Sequence, residues 1–380
     1  MFESIVAFVR ELYGTPSGFI PLHVPQFRGN EKRYLLDTID STFVSSVGEY
    51  VDLFEKQIAE FTGAGYAVAV VNGTNALQVA LHLAGVTAGD YVITQPLTFI
   101  ATCNAISYQG ASPLFVDIDA TTLGLSPHKL EEFLAHETTI DSRGYCVHTA
   151  SRRKIAACLP MHTFGHPTQI DDIRAVCARY RIPLVEDAAE SLGSRYRGKH
   201  TGTFGMAGAL SFNGNKIITC GGGGAIITDD ETVARQAKHL TTQAKVPHAW
   251  EYVHDEIGYN YRMPNLNAAL ACAQLEMLPQ FLEEKRIIAQ AYADFFASYE
   301  VVFVEEPEYA TSNYWLNTLL LKNRSERDAF LEYTNKHQVM TRPAWQLMHR
   351  LPMFENTLRN DLSMAESLAD RLVNIPSSVR

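Results

Sequence analysis

Between Ala67 and Val116 the chain holds one Asp, Glu, Lys or Arg, which is Asp90, although 19% of all residues are charged. A stretch so poor in charge belongs inside, as strands covered on both faces together with the helices that connect them. Ala67–Val71 (AVAVV) reads as a strand, and Thr74–Gly85 (TNALQVALHLAG) as a helix closed by Gly85. Asp90–Pro96 gives a further strand, stopped by Pro96, and Pro113–Asp119, Ile155–Met161 and Ile182–Asp187 continue the series. Helical patterns fall between most of them. In Gln169–Arg181, for example, Ile170, Ile173, Val176 and Cys177 share one face. Alternation of this kind predicts an α/β fold with a mainly parallel central sheet.

Two helical patterns, Asn30–Phe43 and Gly48–Thr62, precede this core. After about Asn260 the character changes, with helices expected over Asn265–Leu282 and Glu284–Tyr299 and a strand over Thr318–Lys322. The predicted organisation is a segment 1–48 packing with the small domain, a large domain over 49–260, and a smaller α+β C-terminal domain over 261–380.

Hydrophobic residues make up 46% of the 380, enough for a sizeable core. The net charge of −10 disfavours nucleic acid and membrane surfaces as partners. No apolar run reaches membrane-spanning length, and the opening MFESIVAFVRELYG carries Glu3 before any basic residue. A cytoplasmic protein is expected. The six cysteines form no Cys-x-x-Cys pair and no disulfide framework, so they read as buried thiols.

The chemistry concentrates between Glu186 and Gly224. Lys216 lies in a loop crowded with glycines, Ser211 precedes it by five residues, and Asp187 precedes it by twenty-nine, at the end of a strand. An amine, a hydroxyl and a carboxylate in this arrangement are what a pyridoxal 5′-phosphate enzyme needs: a Schiff-base lysine, a phosphate ligand and an acid for the pyridine nitrogen. The plain alternatives are a solvated loop lysine and, for Asp187, the N-cap of a helix over AAESLG. Glu186 points the other way along its strand and reads as structural.

Gly73-Thr74-Asn75 lies between a strand and a helix, where free N–H groups and the helix dipole favour a phosphate. Taken alone it is better read as a Thr N-cap, and the company of Ser211 shifts the balance to phosphate. No Gly-x-Gly-x-x-Gly and no Gly-Lys-Ser/Thr is present, which removes the dinucleotide and P-loop readings. Phe99 follows another strand and either stacks on a cofactor ring or packs in the core. His162 and His166 have the spacing of a two-histidine metal site, but Gly165 and Pro167 would break the helix such a site requires, so no metal is expected. His162 is either near the cofactor or a satisfied structural histidine.

GTNAL, TFIATCNAI, the block from VEDAAES to SFNGNK, and GYNYRM (Gly258–Met263) resemble the DegT/DnrJ/EryC1/StrS family of sugar aminotransferases, over a span from about Phe43 to Trp345. The resemblance implies the fold-type-I pyridoxal phosphate architecture and homodimers that build each active site from two subunits. By position it makes Lys216 the Schiff-base lysine, Asp187 the pyridinium partner, Thr74, Asn75 and Ser211 phosphate binders, and Phe99 the stacking residue. Asn260 becomes the residue that crosses to the partner's phosphate. Glu190 stands near the cofactor's phenolic oxygen, where the family most often has Gln, so the carboxylate is a departure.

The implied reaction takes an amino group from L-glutamate to a nucleotide-linked keto-sugar. SNYWLNTLLL and TRPAWQLMHRLPMF look most like members that act on UDP-linked 4-keto-6-deoxy-N-acetylhexosamines, in routes toward legionaminic-type sugars and surface polysaccharide. Dehydratases of the family carry histidine in place of the lysine, and Lys216 favours transamination. Two alternatives stay open: another pyridoxal phosphate reaction such as sugar dehydration, and a non-catalytic sugar-nucleotide-binding or regulatory protein.

Overall fold

The structure, a computed structural model, describes all residues from Met1 to Arg380. Its main sheet runs, from one edge, through Ser112–Phe115, Tyr91–Thr94, Ile155–Cys158, Val185–Asp187, Ala207–Ser211, Gly224–Thr228 and Tyr66–Val70. Single parallel bridges, Cys158 to Leu184 and Met161 to Asp187, join the two halves. Neighbouring strands are parallel except around Gly224–Thr228, which is antiparallel to both sides. The parallel sheet expected from the sequence is present with this one reversal.

Period two decides which face each side chain covers. Val68, Val70, Ala209 and Ile226 pack under the helices Gly73–Leu83 and Glu231–Thr241. Ala69, Leu210, Ala225 and Ile227 face the opposite way, onto Glu49–Thr62 and the first half of a long helix, Asn265–Phe296. Residues of both faces are almost wholly buried, which explains the lack of charge in this part of the sequence.

The long helix differs from the pair of helices expected over Asn265–Leu282 and Glu284–Tyr299. It continues through Pro279 without a break. Glu283 and Glu284 lie toward solvent, while Phe281, Lys285, Ile288, Ala289 and Tyr292 keep the buried face continuous. The charged pair therefore marks the outer side of one helix and not the gap between two.

Along its length the helix passes from the large core into a second one. There it meets the antiparallel sheet Val302–Phe303, Asn317–Leu320, Leu372–Ile375 and Arg342–Pro343, together with the helices Phe2–Leu12 and Arg324–Lys336. The domain boundary we propose at 260/261 falls just ahead of this shared element. Within the N-terminal segment, Phe2–Leu12 packs on the small domain, whereas Glu31–Asp40 lies along the long helix. No helix is long and apolar enough to cross a membrane, and all six cysteines are free and buried.

Candidate active site

Parallel strands bring their C-terminal ends to one edge of the sheet, where ligands of α/β proteins collect. At that edge a cavity of about 270 Å³ is lined by Thr74, Phe99, Asp187, Glu190, Ser211 and Lys216, among others. Residues as far apart in the chain as Asn72 and Trp345 therefore share one site. Asn75 and Asn260 do not line it. Asn260 is exposed and bridges to Thr242.

The end of the cavity beside Ser211 is built largely from backbone. Asn72, not Thr74, caps the helix: its side-chain oxygen accepts from Asn75 N–H at 2.8 Å. The preceding N–H groups of this first turn have no acceptor within the helix. Two glycines keep the cradle open. A Cβ on Gly73 would come within 2.9 Å of Ser211 Cβ, and one on Gly224 within 2.4 Å of the Asn72 carbonyl carbon. A side chain on Gly73 would fill the space beside the Ser211 hydroxyl, and one on Gly224 would push into the Asn72–Gly73 backbone.

Asp187 is buried and accepts from Thr102 Oγ1 at 2.7 Å and from Ala189 N–H at 3.2 Å. It has no ion-pair partner, and burial pushes its carboxyl above the usual range despite those hydrogen bonds and Lys216 nearby. A buried acid without a cation suits a protonated ring nitrogen arriving with a ligand.

Lys216 Nζ lies 3.3 Å from Glu190 Oε1 and over the Trp315 ring. The other oxygen of Glu190 accepts from Phe164 N–H at 3.0 Å. Phe99, half exposed at the mouth, offers an aromatic face, with Trp345 6.0 Å away between ring centroids. A helix terminus, hydroxyls, an uncompensated acid, an aromatic face and an amine around one cavity fit pyridoxal phosphate.

Burial pushes the Glu190 carboxyl up to about 7, against the opposing pull of Lys216 and the Phe164 N–H. A folded-state value above the unfolded one means that stability is fully present below the ordinary carboxylate range and is lost as pH rises through about 7. Across that window the cofactor-free protein is expected to lose on the order of 3 kcal/mol relative to Glu190→Gln. Urea unfolding of both proteins over this range checks it. Parallel stability curves would contradict the assignment.

Glu186 is structural, as its place on the strand implies, and His162 takes the structural one of its two readings. Glu186 is fully buried and accepts from Gly202, Phe204 and Gly205 N–H groups at 2.8, 2.6 and 2.8 Å. His162 joins it through Nε2 at 3.0 Å and accepts from Thr168 N–H at 3.2 Å through Nδ1. His162 is thus a satisfied core histidine behind the sheet edge and does not line the cavity.

Sequence reasoning missed Thr102, Trp315 and Trp345. Thr102 follows Phe99 by three residues and had a local signal in TFIATCNAI. The tryptophans come from the small-domain part of the chain and had none.

Residues 25–380 match the DegT/DnrJ/EryC1/StrS aminotransferase family. The chain is 36% identical over 359 residues to the GDP-perosamine synthase of Escherichia coli O157:H7, covering 94% of this chain and 93% of that one. It is 34% identical over 361 residues to the GDP-perosamine synthase of Vibrio cholerae, covering 94% of each. Among solved structures, the aminotransferase TlmJ from Streptoalloteichus hindustanus superposes with a TM-score of 0.85 at 26% identity, over 95% of this chain and 94% of that one.

Proposed function

Because the chain belongs to the DegT/DnrJ/EryC1/StrS aminotransferase family, we propose that it transfers the amino group of L-glutamate to the keto carbon of a nucleotide-linked 4-keto-6-deoxy sugar, with Lys216 and Asp187 as catalytic residues. Within that family it is a pyridoxal phosphate-dependent sugar aminotransferase. The observation that carries the residue assignment is the meeting of Lys216, Asp187, Ser211 and Thr74 around one cavity.

When bound, the cofactor supplies an aldehyde that takes up an amino group and a ring that withdraws electrons from the bond being broken. Thr74, Ser211 and the helix N-terminus hold its phosphate, and Phe99 covers a face of its ring. Asp187 keeps the ring nitrogen protonated, and Thr102 keeps Asp187 Oδ2 in place. Lys216 Nζ holds the aldehyde carbon between turnovers and moves the proton from the α-carbon of glutamate. Glu190, with its carboxyl pushed up to about 7, can present an O–H to the phenolic oxygen. In that state it does the work of the neutral amide that most members of the family carry.

The carrier nucleotide is a finer matter. The names of the two GDP-perosamine synthases favour a GDP-linked sugar, while the C-terminal sequence similarity suggests a UDP-linked N-acetylhexosamine. Supplying each keto-sugar with L-glutamate and measuring 2-oxoglutarate decides between them. Release of one 2-oxoglutarate per aminated sugar supports transamination, whereas sugar turnover without glutamate consumption would mean dehydration.

Shared sites in a homodimer complete the proposal. Leu36, Ile39, Phe43 and Val47 in one segment and Trp250, Tyr252 and Ile257 in another are exposed and apolar, as a subunit interface requires. Asn260 stands at the end of the second group, away from its own chain's cavity. Mixing an inactive Lys216→Ala chain with an inactive Asn260→Ala chain is expected to restore activity, up to about half per heterodimer, because one of its two sites is intact. Verified subunit exchange without recovery would place Asn260 within its own subunit's chemistry.

A further inference from the structure

Trp315 reaches the site from the small-domain part of the chain, and its contacts lead back to Lys216. The centre of its ring is 4.2 Å from Lys216 Nζ. Its indole N–H donates at 2.7 Å to the carbonyl of Asn215, in the peptide group that precedes Lys216. The tryptophan is 4% exposed and lines the same cavity.

Its backbone is fixed from several directions. Asn313 Oδ1 accepts from Trp315 N–H at 2.8 Å, while Asn313 Nδ2 donates to the carbonyls of Glu190 and Leu192, each at 2.9 Å. Lys285, fully buried on the long helix, donates to the Trp315 carbonyl at 2.8 Å and to those of Ser377 and Tyr314 at 2.5 and 3.3 Å. Tyr314 itself is left-handed, with φ of 45°. A non-glycine residue holds that conformation only where its surroundings over-determine it. One side chain, Asn313, thus ties together the segments that carry both neighbours of the Lys216 amine: the Trp315 ring and the Glu190 carboxylate.

We propose that Trp315 is a positioning residue for Lys216: its ring face and Glu190 together seat the amine whenever it is released from the cofactor. A free lysine is a long flexible chain with a strongly hydrated head. Without a seat it would sample solvent during the half of the cycle in which it must carry a proton. The ring face attracts the ammonium through its quadrupole and covers it from water. The proposal rests on the assignment of Lys216 made above.

The test uses holoenzyme brought to its aminated form with L-glutamate, which frees Lys216, and then acetic anhydride at one fixed pH. Acetylation of Lys216 and of Lys285 is followed by peptide mass spectrometry. Trp315→Leu keeps an apolar side chain but loses the ring face, and Lys216 should acetylate about fivefold faster, the factor expected of a partly desolvated cation–π contact. Trp315→Phe keeps a face and should stay within about twofold of wild type. Lys285 should remain protected throughout; Trp315→Met serves if the leucine variant is not recovered.

An unchanged Lys216 rate in the leucine or methionine variant overturns the proposal. So does a phenylalanine variant as fast as leucine, or a joint rise at Lys216 and Lys285, which means general loosening. Equal Lys216 acetylation in wild type before and after glutamate would instead sink the assignment of Lys216 as the cofactor-linked lysine. Even then, the comparison of leucine with phenylalanine decides whether the ring seats the amine.

Discussion

Lys216→Ala is expected to lower turnover by roughly four orders of magnitude or more while leaving the fold intact, because in the role proposed for it one amine both carries the cofactor and moves the proton. The side chain makes one ion pair, with Glu190, and one ring contact, with Trp315, so few folding contacts leave with it. Cofactor should still bind without a covalent link, through Thr74, Ser211 and the helix N-terminus. Steady-state assays with glutamate, alongside a circular-dichroism melt, separate the two effects. Turnover above a trace in a protein that melts like wild type would remove Lys216 from the chemistry.

Asp187→Asn should reduce the rate of the glutamate half-reaction by about two to four orders of magnitude, since a neutral amide cannot hold the ring nitrogen protonated. The same substitution is expected to leave the cofactor-free protein as stable as wild type, or more so, at neutral pH. Burial raises the Asp187 carboxyl, so its charged form costs the folded chain stability, a cost that the amide removes. Loss of rate combined with retained stability marks a residue kept for function. A wild-type half-reaction rate would make Asp187 a backbone cap and no more. A large loss of stability would give it a structural role through Thr102 and Ala189.

Much of the site could be read in the sequence because its residues lie at strand ends or helix starts in the α/β series. Asp187 ends one strand, Ser211 ends another, and Thr74 opens the helix after a third. Periodicity alone places such positions at one edge of the sheet. The strand Gly224–Thr228 was harder to foresee, because the glycine run before it reads as loop. Its glycine is needed where the backbone passes Asn72.

Trp315 was out of reach for a different reason. It touches the carbonyl of Asn215 across 100 residues of sequence, and no local pattern in SNYWLN signals a contact decided by how the small domain docks. The long helix that ties the domains was hidden by a charged pair on its outer face. His162 was ambiguous until burial and its hydrogen bonds with Glu186 and Thr168 assigned it to the core. A histidine after a strand reads alike whether it faces a ligand or a buried carboxylate.

In the proposed reaction everything turns on Lys216, which carries the cofactor and gives it up to an amino donor. Borohydride reduction of the holoenzyme, followed by peptide mass mapping before and after L-glutamate, tests this directly. The reduced cofactor's mass is expected on the peptide that contains Lys216, and should be lost from that peptide once glutamate has reacted. Cofactor mass on a different lysine, or on Lys216 regardless of glutamate, would contradict it.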